Sequence, residues 1–172
     1  MLPLLKPIKI EQGPHDKSLD HLIQEGVVDA TMGTSMPESF RTNPDIARLF
    51  PNLVELEKEY YQRTRIYPIM HLVAIKKSIY EKHPFVATSL FNAFQRAKEI
   101  ALVRMYNQRA LRYMMPWLPR DIDEIYEYFN GDPWPYGIEP NRPTLEALVQ
   151  YMVEQHFIPK RIAIEDLFVV GH

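Results

Sequence analysis

Apolar and polar positions recur along this chain with two different periods, and the switches between them mark its elements. Residues 6–12 (KPIKIEQ) alternate apolar and polar after Pro7, which predicts a strand. Gly13-Pro14 turns the chain. Ser18 is placed to cap a short helix over 19–25, and Gly26 stands just past its end. Residues 27–32 (VVDATM) predict a second strand. Strand, helix and strand with short connections imply an α/β unit with parallel pairing.

From 33 to 51 the pattern dissolves into turn residues, with at most one helical turn near 45–49. Residues 52–61 predict a short helix with Leu53, Leu56 and Tyr60 on one face. Residues 66–75 (IYPIMHLVAI) are then almost unbroken in their apolar character, and Lys76 and Lys77 close the run. A short run rich in Ile and Val between polar flanks predicts a strand buried on both faces. Ser78 and Glu81 have capping-box spacing, so a helix starts there and stops before Pro84. A longer helix follows. Val86, Leu90, Phe94, Ala97 and Ala101 share one stripe with Phe91 beside it, and Lys98, Glu99 and Arg104 take the rest. Residues 121–129 predict an acidic helix. Asn141 is placed to cap another, with Pro143 in its first turn and Leu145, Leu148, Val149, Met152 and Val153 on one face. Residues 164–168 predict a last docked turn.

Composition narrows the possible functions. The 172 residues suit one domain or slightly more, and a hydrophobic share of 46% with 24% charged residues is an ordinary globular balance. A formal net charge of -2 favours neither nucleic acid nor an anionic membrane as partner. Cysteine is absent, which excludes disulfides, thiolate metal sites and a cysteine nucleophile. The opening MLPLLKPIKIEQ carries two prolines and no long apolar core, so it reads as neither a leader nor a membrane span, and a cytoplasmic location is expected. No phosphate-binding glycine loop and no serine nucleophile motif occurs.

Three stretches carry candidate chemistry. His71 lies inside the apolar run. It is either a core histidine satisfied by its neighbours or a proton donor at a strand end, since histidine titrates near neutral pH. In the loop 33–51, Thr34, Ser35, Ser39 and Arg41 can bind an anion; a solvated connection is the alternative. Residues 130–142 (NGDPWPYGIEPNR) hold Trp134 and Tyr136 among prolines, as a ring-binding wall or as a packing lid. The acidic helix carries Asp121, Asp123, Glu124 and Glu127, but they spread around it with no histidine at ligand spacing, so no metal site is expected there.

Taken together, residues 26–41 (GVVDATMGTSMPESFR), 47–98 (with EYYQRTRIYPIMHLVAIKKSIYEKHP at their centre) and 134–158 (WPYGIEPNRPTLEALVQYMVEQHFI) resemble 4,5-dihydroxyphthalate decarboxylase and its relatives. Arg65 stands where those relatives often have glycine. The resemblance implies an α/β fold of the type II periplasmic-binding-protein kind, partial here. Residues 1–50 would be part of the second lobe and a crossover, and 51–172 a strand and helices returning to the first lobe. It implies non-oxidative decarboxylation of an aromatic diacid, with no cofactor and no metal. His71 would be the acid, Arg41 and Arg63 the carboxylate partners, and Trp134 and Tyr136 the ring contacts, with Thr64 and Ser35 also at the substrate. It also implies a small aromatic acid as ligand, and pairing with a second copy or with a missing N-terminal half. A non-catalytic solute-binding module is the alternative reading.

Overall fold

In the computed structural model, the described residues are 5–107 and 113–169. Residues 1–4, which open the segment read above as neither leader nor span, lie outside them. The chain divides into two compact units, Lys6–Glu59 and a second made of Tyr60–His172 with Leu5.

In Lys6–Glu59, α1 (Leu19–Gln24) is capped as its sequence predicts: the Ser18 side chain accepts the His21 N–H. Gly26 follows with φ 70, a left-handed conformation that glycine adopts without steric cost. Leu22 is the buried anchor of this helix. Its carbonyl accepts the N–H groups of Val27 and Val28, so the chain wraps over the helix end instead of leaving as a strand. The loop predicted for 33–51 contains α2 (Ser39–Thr42). Ser39 is buried, and its hydroxyl and N–H both donate to the Asp20 carboxylate. The Ser39 hydroxyl holds the Asp20 carboxyl below its usual range. α3 (Leu53–Thr64) begins in this unit and ends in the other.

The second unit holds the end of α3, α4 (Lys77–Lys82), α5 (Phe85–Tyr106), α6 (Leu118–Phe129), α7 (Ile138–Glu154) and α8 (Ile164–Leu167). α4 packs on α5, and α7 on α8. Leu145, Val149 and Ile164 form the buried cluster between α7 and α8, with Ile138, Ile158 and Phe168 against it. Each such side chain contributes about 1.5–3 kcal/mol when removed from water. A second, aromatic centre joins elements that are distant in sequence. Tyr61 at the end of α3 lies against Phe129 at 4.7 Å and Tyr128 at 5.6 Å, and Tyr67 meets Phe129 at 4.9 Å and Trp134 at 6.2 Å.

The predicted α/β fold of the periplasmic-binding-protein kind is overturned. Among the described residues there is no strand, and all regular structure is helical. The three segments predicted as strands, 6–12, 27–32 and 66–75, have no ladder. A strand exists only where a second strand takes up its N–H and C=O groups. The apolar run shows the consequence most clearly. It is extended, but Met70, Leu72 and Val73 remain 72%, 68% and 64% exposed, so it is not the doubly covered strand its composition predicts. What holds its start is a side chain. Thr144 Oγ1 on α7 accepts the Tyr67 N–H at 3.1 Å and donates to the Tyr67 carbonyl at 3.2 Å, imitating one rung of a sheet.

In three further places the structure departs from the local signals. Ser78 does not cap α4, whose N-cap is Lys76 with no side-chain bond. Gly137, at φ 97, is the N-cap of α7, and Asn141 sits inside the first turn, donating to the carbonyls of Pro135 and Gly137. On α5 the covered positions are Val86 and Ala87 at the start, then Phe91, Gln95, Lys98, Leu102 and Met105. From Ala87 on, that stripe lies one residue, about 100°, from the predicted one.

Candidate functional site

The extended run and the proline-rich loop face each other across a cavity of about 700 Å³ in the second unit. Residues 67–73 form one wall, Ala87, Leu90, Phe91 and Phe94 of α5 another, and residues 133–138 a third. Asn141 and Leu145 of α7 and Phe168 close the base. This volume suits a small organic molecule, and the lining is mainly aliphatic and aromatic, as ligand cavities are. Among the described residues, the lining contains no Asp, Glu, Lys or Arg.

His71, Trp134 and Tyr136 all line this cavity. His71 is exposed, and among the described residues no hydrogen bond engages its ring, so it is not a core histidine held by neighbours. Arg63, in the last turn of α3, is exposed and lies over the Tyr60 ring at 5.6 Å. Thr64 closes α3: its hydroxyl donates to the Tyr60 carbonyl at 2.7 Å and accepts the Ile66 N–H at 3.1 Å. Neither residue lines the cavity. Ser35 and Arg41 belong to the Lys6–Glu59 unit, where both are exposed.

Two local features aim the aromatic wall. Asn130 at φ 53 and Gly131 at φ 123 end α6, with the Gly131 N–H donating to the Tyr126 carbonyl at 2.8 Å. Asp132 then accepts the Trp134 N–H at 2.9 Å, an Asx turn that starts the loop. Pro133 and Pro135 fix the backbone on either side of Trp134. Sequence reasoning missed the residue on which this loop rests. Lys98 of α5 is paired with Asp132, donates to the Trp134 carbonyl at 2.9 Å and lies 4.1 Å from the Tyr136 ring centroid. The signal was present, because Lys98 stands four residues after Phe94 and seven after Phe91, on the face that turns to the loop.

The chain is similar to a curated 4,5-dihydroxyphthalate decarboxylase of Comamonas testosteroni. The two are 24% identical over 168 residues, 97% of this chain and 51% of that protein. The chain therefore spans about half the length of the curated relative it matches, and the similarity supports a distant relationship. No family model matches the chain. Among the described residues, no helix is long and apolar enough to cross a membrane, and no three His, Asp or Glu side chains are grouped to hold a metal ion.

Proposed function

We propose that the cavity of the second unit binds a small aromatic carboxylic acid and that its chemistry is non-oxidative decarboxylation, as of 4,5-dihydroxyphthalate to protocatechuate. One observation carries the reading: a histidine with no hydrogen-bond partner among the described residues shares a cavity of ring-binding size with Trp134 and Tyr136. The similarity to a protein named for that reaction supports it.

The chemistry needs few groups. Each ring hydroxyl of the substrate is para to one carboxylate and raises electron density at the carbon bearing it. A proton donor adds a proton to that carbon. The bond to the carboxylate then breaks, carbon dioxide leaves, and the bonding pair returns to the ring, restoring aromaticity. In this reading His71 donates the proton and Trp134 and Tyr136 hold the ring; Arg63, which the resemblance offers for a carboxylate, lies outside the described lining and takes no part. A positioned general acid contributes ~10²–10⁴ in rate.

A second reading is binding without turnover. The described lining residues include no Lys or Arg, which favours it, since a dianion asks for counter-charge. Incubation with 4,5-dihydroxyphthalate, following protocatechuate by chromatography and binding by calorimetry, separates the two. Turnover that falls about 10²–10⁴-fold in H71Q supports the decarboxylase. Saturable binding without product supports the binding module. Neither binding nor product refutes both.

A further inference from the structure

We infer that Lys98 is a positioning residue for the aromatic wall of the cavity, setting how Trp134 and Tyr136 meet a bound ring. Its side chain is 14% exposed, an uncommon place for an ammonium. A cation is kept out of water only where its three N–H donors and its charge find partners. Here the partners all come from one loop. Asp132 supplies the counter-charge, the Trp134 carbonyl accepts at 2.9 Å, and the Tyr136 ring lies at cation–π distance, 4.1 Å. Asp132 completes the clamp by accepting the Trp134 N–H with its other oxygen at 2.9 Å. Trp134 is thus gripped at both its N–H and its carbonyl, and Tyr136 at its ring.

The clamp also ties the loop to α5, which lines the cavity through Ala87, Leu90, Phe91 and Phe94. Phe91 meets the edge of Tyr136 at 6.4 Å. Two walls of the cavity therefore keep their spacing through one side chain that does not line it. Without the cation, Asp132 loses its counter-charge and the Trp134 carbonyl loses this donor. The prolines on either side of Trp134 still limit the backbone, so the loop shifts as a unit instead of unfolding. The ligand part of this inference rests on the aromatic-acid reading; the geometric part does not.

Tryptophan emission gives the decisive test. The chain has two tryptophans, so W117F leaves Trp134 as the sole indole emitter. In that background, acrylamide quenching of Trp134 is expected to rise at least twofold in K98M, while Tm moves little and K98R, which keeps charge and donors, stays near the parent. The Kd for 4,5-dihydroxyphthalate is expected to weaken tenfold or more in K98M and less than threefold in K98R. If K98M does not fold, D132N, which keeps an oxygen for the Trp134 N–H but loses the charge, is expected to show the same rise in quenching. Quenching unchanged in the folded K98M variant, or rising only in step with a lost Tm, overturns the inference. Should the parent protein bind no aromatic acid, the aromatic-acid reading fails alone, and the quenching comparison still decides the clamp.

Discussion

Replacing Thr144 with valine removes a hydroxyl and adds a methyl of nearly the same shape, so it isolates the two hydrogen bonds that hold Tyr67. These bonds join α7 to the first part of the apolar run, residues 77 positions apart. Each neutral bond is worth a net ~0.5–1.5 kcal/mol, so T144V should cost about 1–3 kcal/mol. Both residues are half-buried, and water can reach part of what is freed, which places the cost at about 1–2 kcal/mol. Urea unfolding should show this as a lower midpoint with an unchanged slope. Hydrogen exchange gives the local readout: the Tyr67 amide should exchange about tenfold faster for each ~1.4 kcal/mol lost. T144S keeps the hydroxyl and should recover most of the loss. The reasoning fails if T144V lies within about 0.3 kcal/mol of the parent with the Tyr67 amide still protected, or if T144S is as unstable as T144V. Because Tyr67 also lines the cavity and touches Phe129 and Trp134, T144V should weaken any ligand bound there.

The remaining predictions concern backbone strain and acid. Arg65 closes α3 with φ 59, its N–H donating to the Tyr61 carbonyl at 2.8 Å and its guanidinium over the Tyr61 ring at 5.5 Å. R65A and R65G both delete the ring contact, but only glycine relieves the left-handed strain, so R65G should be the more stable by about 1 kcal/mol in urea unfolding; equal stability refutes the strain. Arg142 links Glu139 of its own helix to Glu165 of α8, at 2.6 and 2.8 Å. Arg142 holds the Glu139 carboxyl below 4.5, and for Glu165 its own backbone N–H and then the Arg142 side chain do the same. Folded values below the unfolded one give stabilisation that is present above pH 4.5 and lost as pH falls through the lowered folded values. R142Q should therefore flatten the fall in urea midpoint between pH 5 and 3; an unaltered fall refutes the assignment.

Much of the helical organisation was legible in the chain. Ser18 caps α1 because its oxygen reaches a nearby N–H, Pro84 separates α4 from α5 because proline restricts the residue before it, and Pro133 and Pro135 stiffen the loop through their own rings. The segments that line the cavity could also be named from local cues: a lone histidine in an apolar run, and a tryptophan between prolines. Each of these effects acts within a few residues, so the sequence suffices to state it. The α/β fold could not be read in this way. Residues 66–75 have the composition of a buried strand, but composition cannot supply the second strand that would pair with them, and a threonine 77 positions away holds Tyr67 instead. The same limit applies to α5. Its 3.6-residue period promised one covered stripe, but packing with the loop chose which stripe, and so set Lys98 against Asp132, Trp134 and Tyr136. Caps, turns and periods are settled by neighbours along the chain, while ladders, covered faces and the partners of a half-buried cation depend on groups that folding alone brings near.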